Sequence, residues 1–177
     1  MIWNAISKPL PQEPVFQRVE VDNKLTQNNR LNNRINAKPG TRVLVIDDSK
    51  TVLGFLGKIL KQNKYQVLQA LDAEEGLQLA KTEKPDLIFL DIVLPGMNGF
   101  AALRLLRKDP SLSHVPVIMM SGNIQATEEF YMQSIGADDF LKKPFSRAEV
   151  CARIEQILDA DLIPCRQNKQ QKETAVA

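Results

Sequence analysis

From residue 41 onward, short and nearly continuous apolar runs alternate five times with amphipathic stretches. No other feature limits the fold as tightly. The runs cover residues 43–47, 65–70, 87–91, 115–120 and 138–142, and "VLVI", "LIFL" and "VIMM" within them leave no polar face. A strand with one face in water alternates apolar and polar residues, so strands without alternation are covered on both faces. We number these strands β1 to β5. The stretches 50–62, 73–81, 100–108, 126–134 and 147–158 read as helices α1 to α5. In α1, Val52, Phe55, Leu56, Ile59 and Leu60 form an apolar stripe at helical spacing. Ser49 stands where a cap would start α1, and Ser146 caps α5, with Glu149 completing a capping box. Strand–helix alternation of this kind yields an α/β domain with a doubly wound, five-stranded parallel sheet between two helical layers.

The flanks differ in kind. Residues 1–40 are rich in Asn, with Pro9, Pro11 and Pro14 breaking any early element and Pro39-Gly40 closing the stretch. We expect a flexible leader there, in which Leu31 and Ile35 allow one short amphipathic turn. Residues 161–177 are expected to be a disordered tail, leaving 41–160 as the folded domain. A tail this short has no room for an output domain, so the sequence reads as a single-domain protein. The net charge of +2 is unevenly spread: 1–40 carry six Lys/Arg against three Asp/Glu, and 41–160 carry fourteen against sixteen. The domain is mildly acidic, which speaks against nucleic acid as a partner. Cys151 and Cys165 have neither metal-ligand nor redox-motif spacing and read as reduced thiols. No run approaches the ~20 residues of a membrane span, and the N-terminus lacks a secretory pattern. Together these suggest a cytoplasmic protein without membrane insertion.

In an open parallel sheet, reactive groups gather at the carboxyl edge, where the strand order reverses. Asp47 and Asp48 follow β1 without a spacer, and Asp91 closes β3. If β1 and β3 are neighbours, three carboxylates share one pocket, and their repulsion calls for a compensating positive charge. A divalent cation supplies it. Mg²⁺ suits oxygen ligands, retains waters and is often held by one or two carboxylates. Ser121 follows β4, and Lys143 follows β5 immediately before Pro144. A hydroxyl and an ammonium beside a metal-bound carboxylate make a phosphoryl-binding site, with Asp91 as the nucleophile that forms an acyl phosphate.

Four stretches, "VLVIDDS", "DLIFLDIVLPGMNG", "PVIMMSG" and "GADDFLKKPF", occur in this order on the strand ends. Together they resemble the signature of receiver domains of two-component response regulators. The resemblance covers about residues 41–160 and implies the flavodoxin-like (βα)₅ fold with strand order 2-1-3-4-5. It implies Asp91 as phosphoacceptor, Asp48 and Asp47 as Mg²⁺ ligands, Asp91 completing the carboxylate set, and Val93 as a backbone-carbonyl ligand. It also implies Ser121 as the switch hydroxyl, Phe140 as the switch aromatic, Lys143 as the phosphate-binding lysine, and a cis bond before Pro144. Val93 and Asn123 fall at the two family positions that control how fast the acyl phosphate hydrolyses.

The implied partners are a sensor histidine kinase or histidine phosphotransfer protein, and a downstream protein bound through the α4–β5–α5 face. A phosphorylation-dependent dimer is compatible with that face. Among stand-alone receivers, "IDDSKTV" and the added N-terminal leader resemble those serving chemotaxis-like or type IV pilus motility systems, including light-directed ones. It would be no enzyme beyond its own phosphotransfer and dephosphorylation. His114, the lone histidine, reads as a surface loop residue, and Met119 and Met120 as strand residues. One rival is a fragment of a transcription factor or diguanylate cyclase, and a second is an Mg²⁺-dependent aspartyl-phosphate phosphohydrolase, which commonly carries a catalytic acid two residues after its nucleophile. Here that place is Val93.

Overall fold

The computed structural model describes residues 36–122 and 136–166. Its strands are β1 Arg42–Ile46, β2 Gln66–Ala70, β3 Leu87–Asp91, β4 Val117–Ser121 and β5 Asp139–Lys142. They form one sheet of order 2-1-3-4-5, the order the resemblance implies, with all pairs parallel. The helices are α1 Lys50–Gln62, α2 Ala73–Glu83, α3 Gly99–Lys108 and α5 Arg147–Gln156. The stretch expected as α4, 126–134, lies outside the described residues.

The absence of alternation in the central strands has a direct cause. Val43, Val45, Phe89, Ile118 and Met120 face one core with Leu56 and Leu60 of α1 and Val150 and Ile154 of α5. Their neighbours Leu44, Ile46, Ile88, Leu90 and Met119 face the other core with Ala80 of α2 and Leu103 and Leu106 of α3. Met119 and Met120 thus serve opposite cores. β2 lies at the sheet edge and is only partly covered.

Several boundaries move for local reasons. Tyr65 belongs to the turn closing α1, since its N–H donates to the Leu60 carbonyl at 3.2 Å. β4 starts two residues late because Val115 N–H turns back to Leu112 O at 3.0 Å and Pro116 has no donor. α2 runs on to Glu83, where Lys84 ends it with a left-handed φ of 48°. Both serine caps form: Ser49 accepts from Val52 N, and Ser146 and Glu149 make the reciprocal box.

Packing continues past both ends of the 41–160 interval. Ala37 is buried, with its N–H on the Tyr65 hydroxyl at 2.9 Å. After α5 the chain folds back through a Leu158–Pro164 bridge, and Leu162 O accepts from Lys38 N at 3.1 Å. Arg166 then reaches Asp138, Nε to Oδ1 at 2.8 Å. No apolar periodicity announces these contacts, which are single hydrogen bonds and one ion pair. Cys151 is buried and Cys165 partly buried, both free thiols, and His114 is exposed.

Candidate functional site

β1 and β3 are neighbours in the sheet, so the chain places Asp47 just past the end of one and Asp91 on the end of the other. One carboxylate oxygen from each of Asp47, Asp48 and Asp91 can be chosen so that all three lie within 4.8 Å of one another. Asp47 is fully buried, Asp91 is 4% exposed, and Asp48 faces solvent. Lys143, one residue past β5, sends its ammonium between the two buried acids. Its Nζ lies 2.6 Å from Asp47 Oδ2 and 2.8 Å from Asp91 Oδ2. Part of the compensating charge is therefore built into the chain, whereas the sequence argument assigned it to a cation.

The electrostatics follow from this crowding. Burial pushes the Asp91 carboxyl above its ordinary range, and Asp47 adds to the rise, while Lys143 opposes it by hydrogen bond and charge. Burial alone would lower Lys143, but its hydrogen bonds to Asp47 and Asp91, with their charges, outweigh it and hold the ammonium above its usual value. Three clustered carboxylates against one ammonium still leave formal negative charge at the site, and the raised Asp91 carboxyl reflects that crowding.

The donor set fits a hard divalent cation. Asp47 Oδ1 accepts from Ser49 N at 3.0 Å, and the buried Oδ2 meets the Lys143 ammonium at 2.6 Å, which leaves lone pairs on both oxygens. A buried acceptor with spare lone pairs, next to an exposed carboxylate and a second buried one, is what an oxygen-seeking ion with retained waters requires.

Ser121 ends β4, is 4% exposed, and accepts the Lys143 backbone N–H on its carbonyl at 2.7 Å. Since β3, β4 and β5 are adjacent, Ser121 stands at the same sheet edge as Asp91 and Lys143. Phe140 is half-buried on β5 opposite Met119 and packs against the core under α2 and α3. The Lys143–Pro144 bond is cis. Val93 sits in the loop after β3 with 70% of its surface exposed. Asn123 lies outside the described residues.

Sequence reasoning missed Gly99. A side-chain carbon there would collide with the Asp91 backbone carbonyl, so only glycine lets the first turn of α3 close beneath the acid. Its N–H donates to Ile92 O at 2.9 Å. The second glycine of "PGMNG" was the available signal.

The model of the response regulator receiver domain matches residues 43–155, and the chain belongs to that family. It is thus a two-component response regulator receiver domain, a class of signalling proteins. PilH of Pseudomonas aeruginosa is 39% identical over 117 residues, which cover 66% of this chain and 97% of PilH. The transcriptional regulatory protein PhoP of Bacillus subtilis is 38% identical over 117 residues, 66% of this chain and 48% of PhoP. The chain therefore spans nearly all of the first relative and about half of the second. Among solved structures, chemotaxis protein CheY4 of Vibrio cholerae superposes with a TM-score of 0.65 at 25% identity, covering 67% of this chain and 99% of CheY4. The receiver domain of the sensor histidine kinase PA1611 of P. aeruginosa, solved with magnesium in its active-site cleft, gives 0.60 at 28% identity, covering 66% and 95%. Among the described residues no helix is long and apolar enough to cross a membrane.

Proposed function

We propose that Asp91 accepts a phosphoryl group from a phosphohistidine on a sensor kinase or histidine phosphotransfer protein, and that the acyl phosphate alters which protein this domain binds. The observation that carries this is the ammonium of Lys143, 2.8 Å from Asp91 and 2.6 Å from Asp47, in a cluster of three carboxylates. One Asp91 oxygen attacks phosphorus, the phosphorus–nitrogen bond to the donor breaks, and the imidazole leaves. Lys143 neutralises phosphoryl oxygens and Ser121 donates a hydrogen bond to one of them. Asp47, Asp48, Asp91 and the Val93 carbonyl would hold Mg²⁺, which would supply the remaining positive charge. Ser121 and Phe140 then move together, shifting the population of the α4–β5–α5 face between two packings. β5 and α5 of that face lie within the described residues.

The likeness to PilH over nearly all its length, and to CheY4, supports a motility or taxis pathway in the cytoplasm. In this reading 41–160 is the receiver, flanked by the leader 1–40 and the tail 161–177. A phosphomonoesterase would need an acid at position 93, where this chain has an exposed valine. Incubation with acetyl phosphate and Mg²⁺ should attach one base-labile phosphoryl group to the parent and none to Asp91→Asn, and EDTA should abolish labelling. Undiminished labelling of the variant would refute the assignment.

A further inference from the structure

The outer edge of the sheet carries a feature that phosphotransfer does not use. β2 is the terminal strand, and backbone alternation decides which of its groups face outward. Gln66 N–H donates to Thr41 O and Ala70 O accepts from Asp47 N, so residues 66, 68 and 70 point toward β1. The N–H and C=O of Val67 and Gln69 therefore point away from the sheet, and no described residue pairs with them. Edge strands are commonly blunted by Lys, Pro or a bulge. "QVLQA" has none of these.

Above that edge, two adjoining depressions of about 330 and 480 Å³ run between β2 and α1, sharing Gly54 and Gln69. Gly57 in this groove is crowded, since a side-chain carbon there would lie 2.8 Å from Gln69 Nε2 and would push that flexible side chain aside. Gly54 is not, because a carbon built on it meets nothing within 4 Å. A glycine inside a helix costs roughly 1 kcal/mol relative to alanine, and among the described residues nothing packs at Gly54 in return. The charge of the walls is one-sided: Lys50, Lys58 and Lys61 against Glu75.

We infer that this edge is a docking site for an extended acidic segment of a partner protein, which adds as a sixth strand beside β2. Its backbone would pair with Val67 and Gln69. Strand spacing of about 4.8 Å places its α1-side side chains in the groove over Gly54, where carboxylates meet Lys58 and Lys61. Ladder hydrogen bonds would supply affinity and the lysines specificity.

The test uses the full chain and two fluorescein-labelled octapeptides, one alternating Val and Glu, the other Val and Lys, read by anisotropy. The Val–Glu peptide should bind saturably and more weakly at high salt, protecting the Val67 and Gln69 amides from hydrogen exchange, while the Val–Lys peptide should not bind. Gly54→Leu, which fills the groove, and the surface pair Lys58→Gln with Lys61→Gln should each weaken binding at least about tenfold, with phosphoryl labelling unchanged. Absent binding, equal binding of both peptides, or unchanged affinity in both variants would overturn the inference. So would a dimer in sedimentation equilibrium whose dissociation exposes the same two amides, because the edge would then belong to a second copy.

Discussion

At the scale of single residues, the site is a balance between burial and compensation. Asp91 ionises less readily in the folded protein than in the unfolded chain, because burial outweighs the help from Lys143. The sign of the pH effect follows. An acid with a raised folded pKa weakens the fold as pH rises from the ordinary value of 3.8 through the raised one. Asp91→Asn removes that penalty and leaves Lys143 paired with Asp47. In EDTA at pH 7 the variant should melt at a higher temperature than the parent, and the advantage should fade as pH falls below the carboxylate range. A lower melting temperature at pH 7 would mean that Lys143 fully offsets the burial of Asp91. In the proposed function, Val93 bears on the lifetime of the acyl phosphate. Its exposed, branched apolar side chain, two residues after Asp91, offers no hydrogen bond to a water attacking phosphorus in line. One positioning contact of ~1–3 kcal/mol corresponds to roughly a 10- to 100-fold rate change. Val93→Asn should shorten the lifetime of the acyl phosphate by that factor, measured as phosphate release, with Mg²⁺ affinity little altered.

At the scale of elements, what could be read in the chain was whatever repeats locally. Val43 and Leu44 serve opposite cores, so two-sided burial wrote itself as an unbroken apolar run. Ser146 and Glu149 stand three apart, so their mutual cap was visible. Asp47, Asp48, Asp91 and Lys143 were legible as a site because each follows or closes an apolar run, and parallel strands bring such ends to one edge. Contacts between distant single residues left no such trace. Tyr65 holding Ala37, and Lys143 standing between two acids, depend on packing that only the fold creates. The glycines separate the two kinds of requirement. Gly99→Ala drives a carbon into the Asp91 carbonyl and should cost about 3 kcal/mol in urea unfolding. Gly54→Ala meets open space in α1 and should gain about 0.5–1 kcal/mol.

At the scale of the whole molecule, one ion-pair cluster ties segments that are far apart in sequence. Asp138, just before β5, accepts Val117 N at 2.8 Å and Arg107 of α3 at 2.7 Å on one oxygen, and Arg166 at 2.8 Å on the other. Arg107 also donates to Gly136 O and Val115 O, each at 2.8 Å. Its burial, partly offset by Asp138 and reinforced by Arg166, lowers its pKa to about 10. The two arginines should differ in weight. Asp138→Asn strands a buried guanidinium, a loss of about 3–5 kcal/mol. Arg166→Ala removes a partner whose side chain is 35% exposed, and should cost about 1 kcal/mol or less. Equal losses in urea titrations would show that the segment after α5 supports the domain as strongly as its core does.

The claim on which the account turns is that Asp91 is the residue that carries the phosphoryl group. Borohydride reduces an acyl phosphate to an alcohol, so it marks the modified aspartate permanently. After reaction with acetyl phosphate and Mg²⁺, borohydride treatment and peptide mass spectrometry should find homoserine at position 91 and aspartate unchanged at 47 and 48. Homoserine at 47 or 48, or at no position in protein that has demonstrably taken up phosphate, would contradict the account.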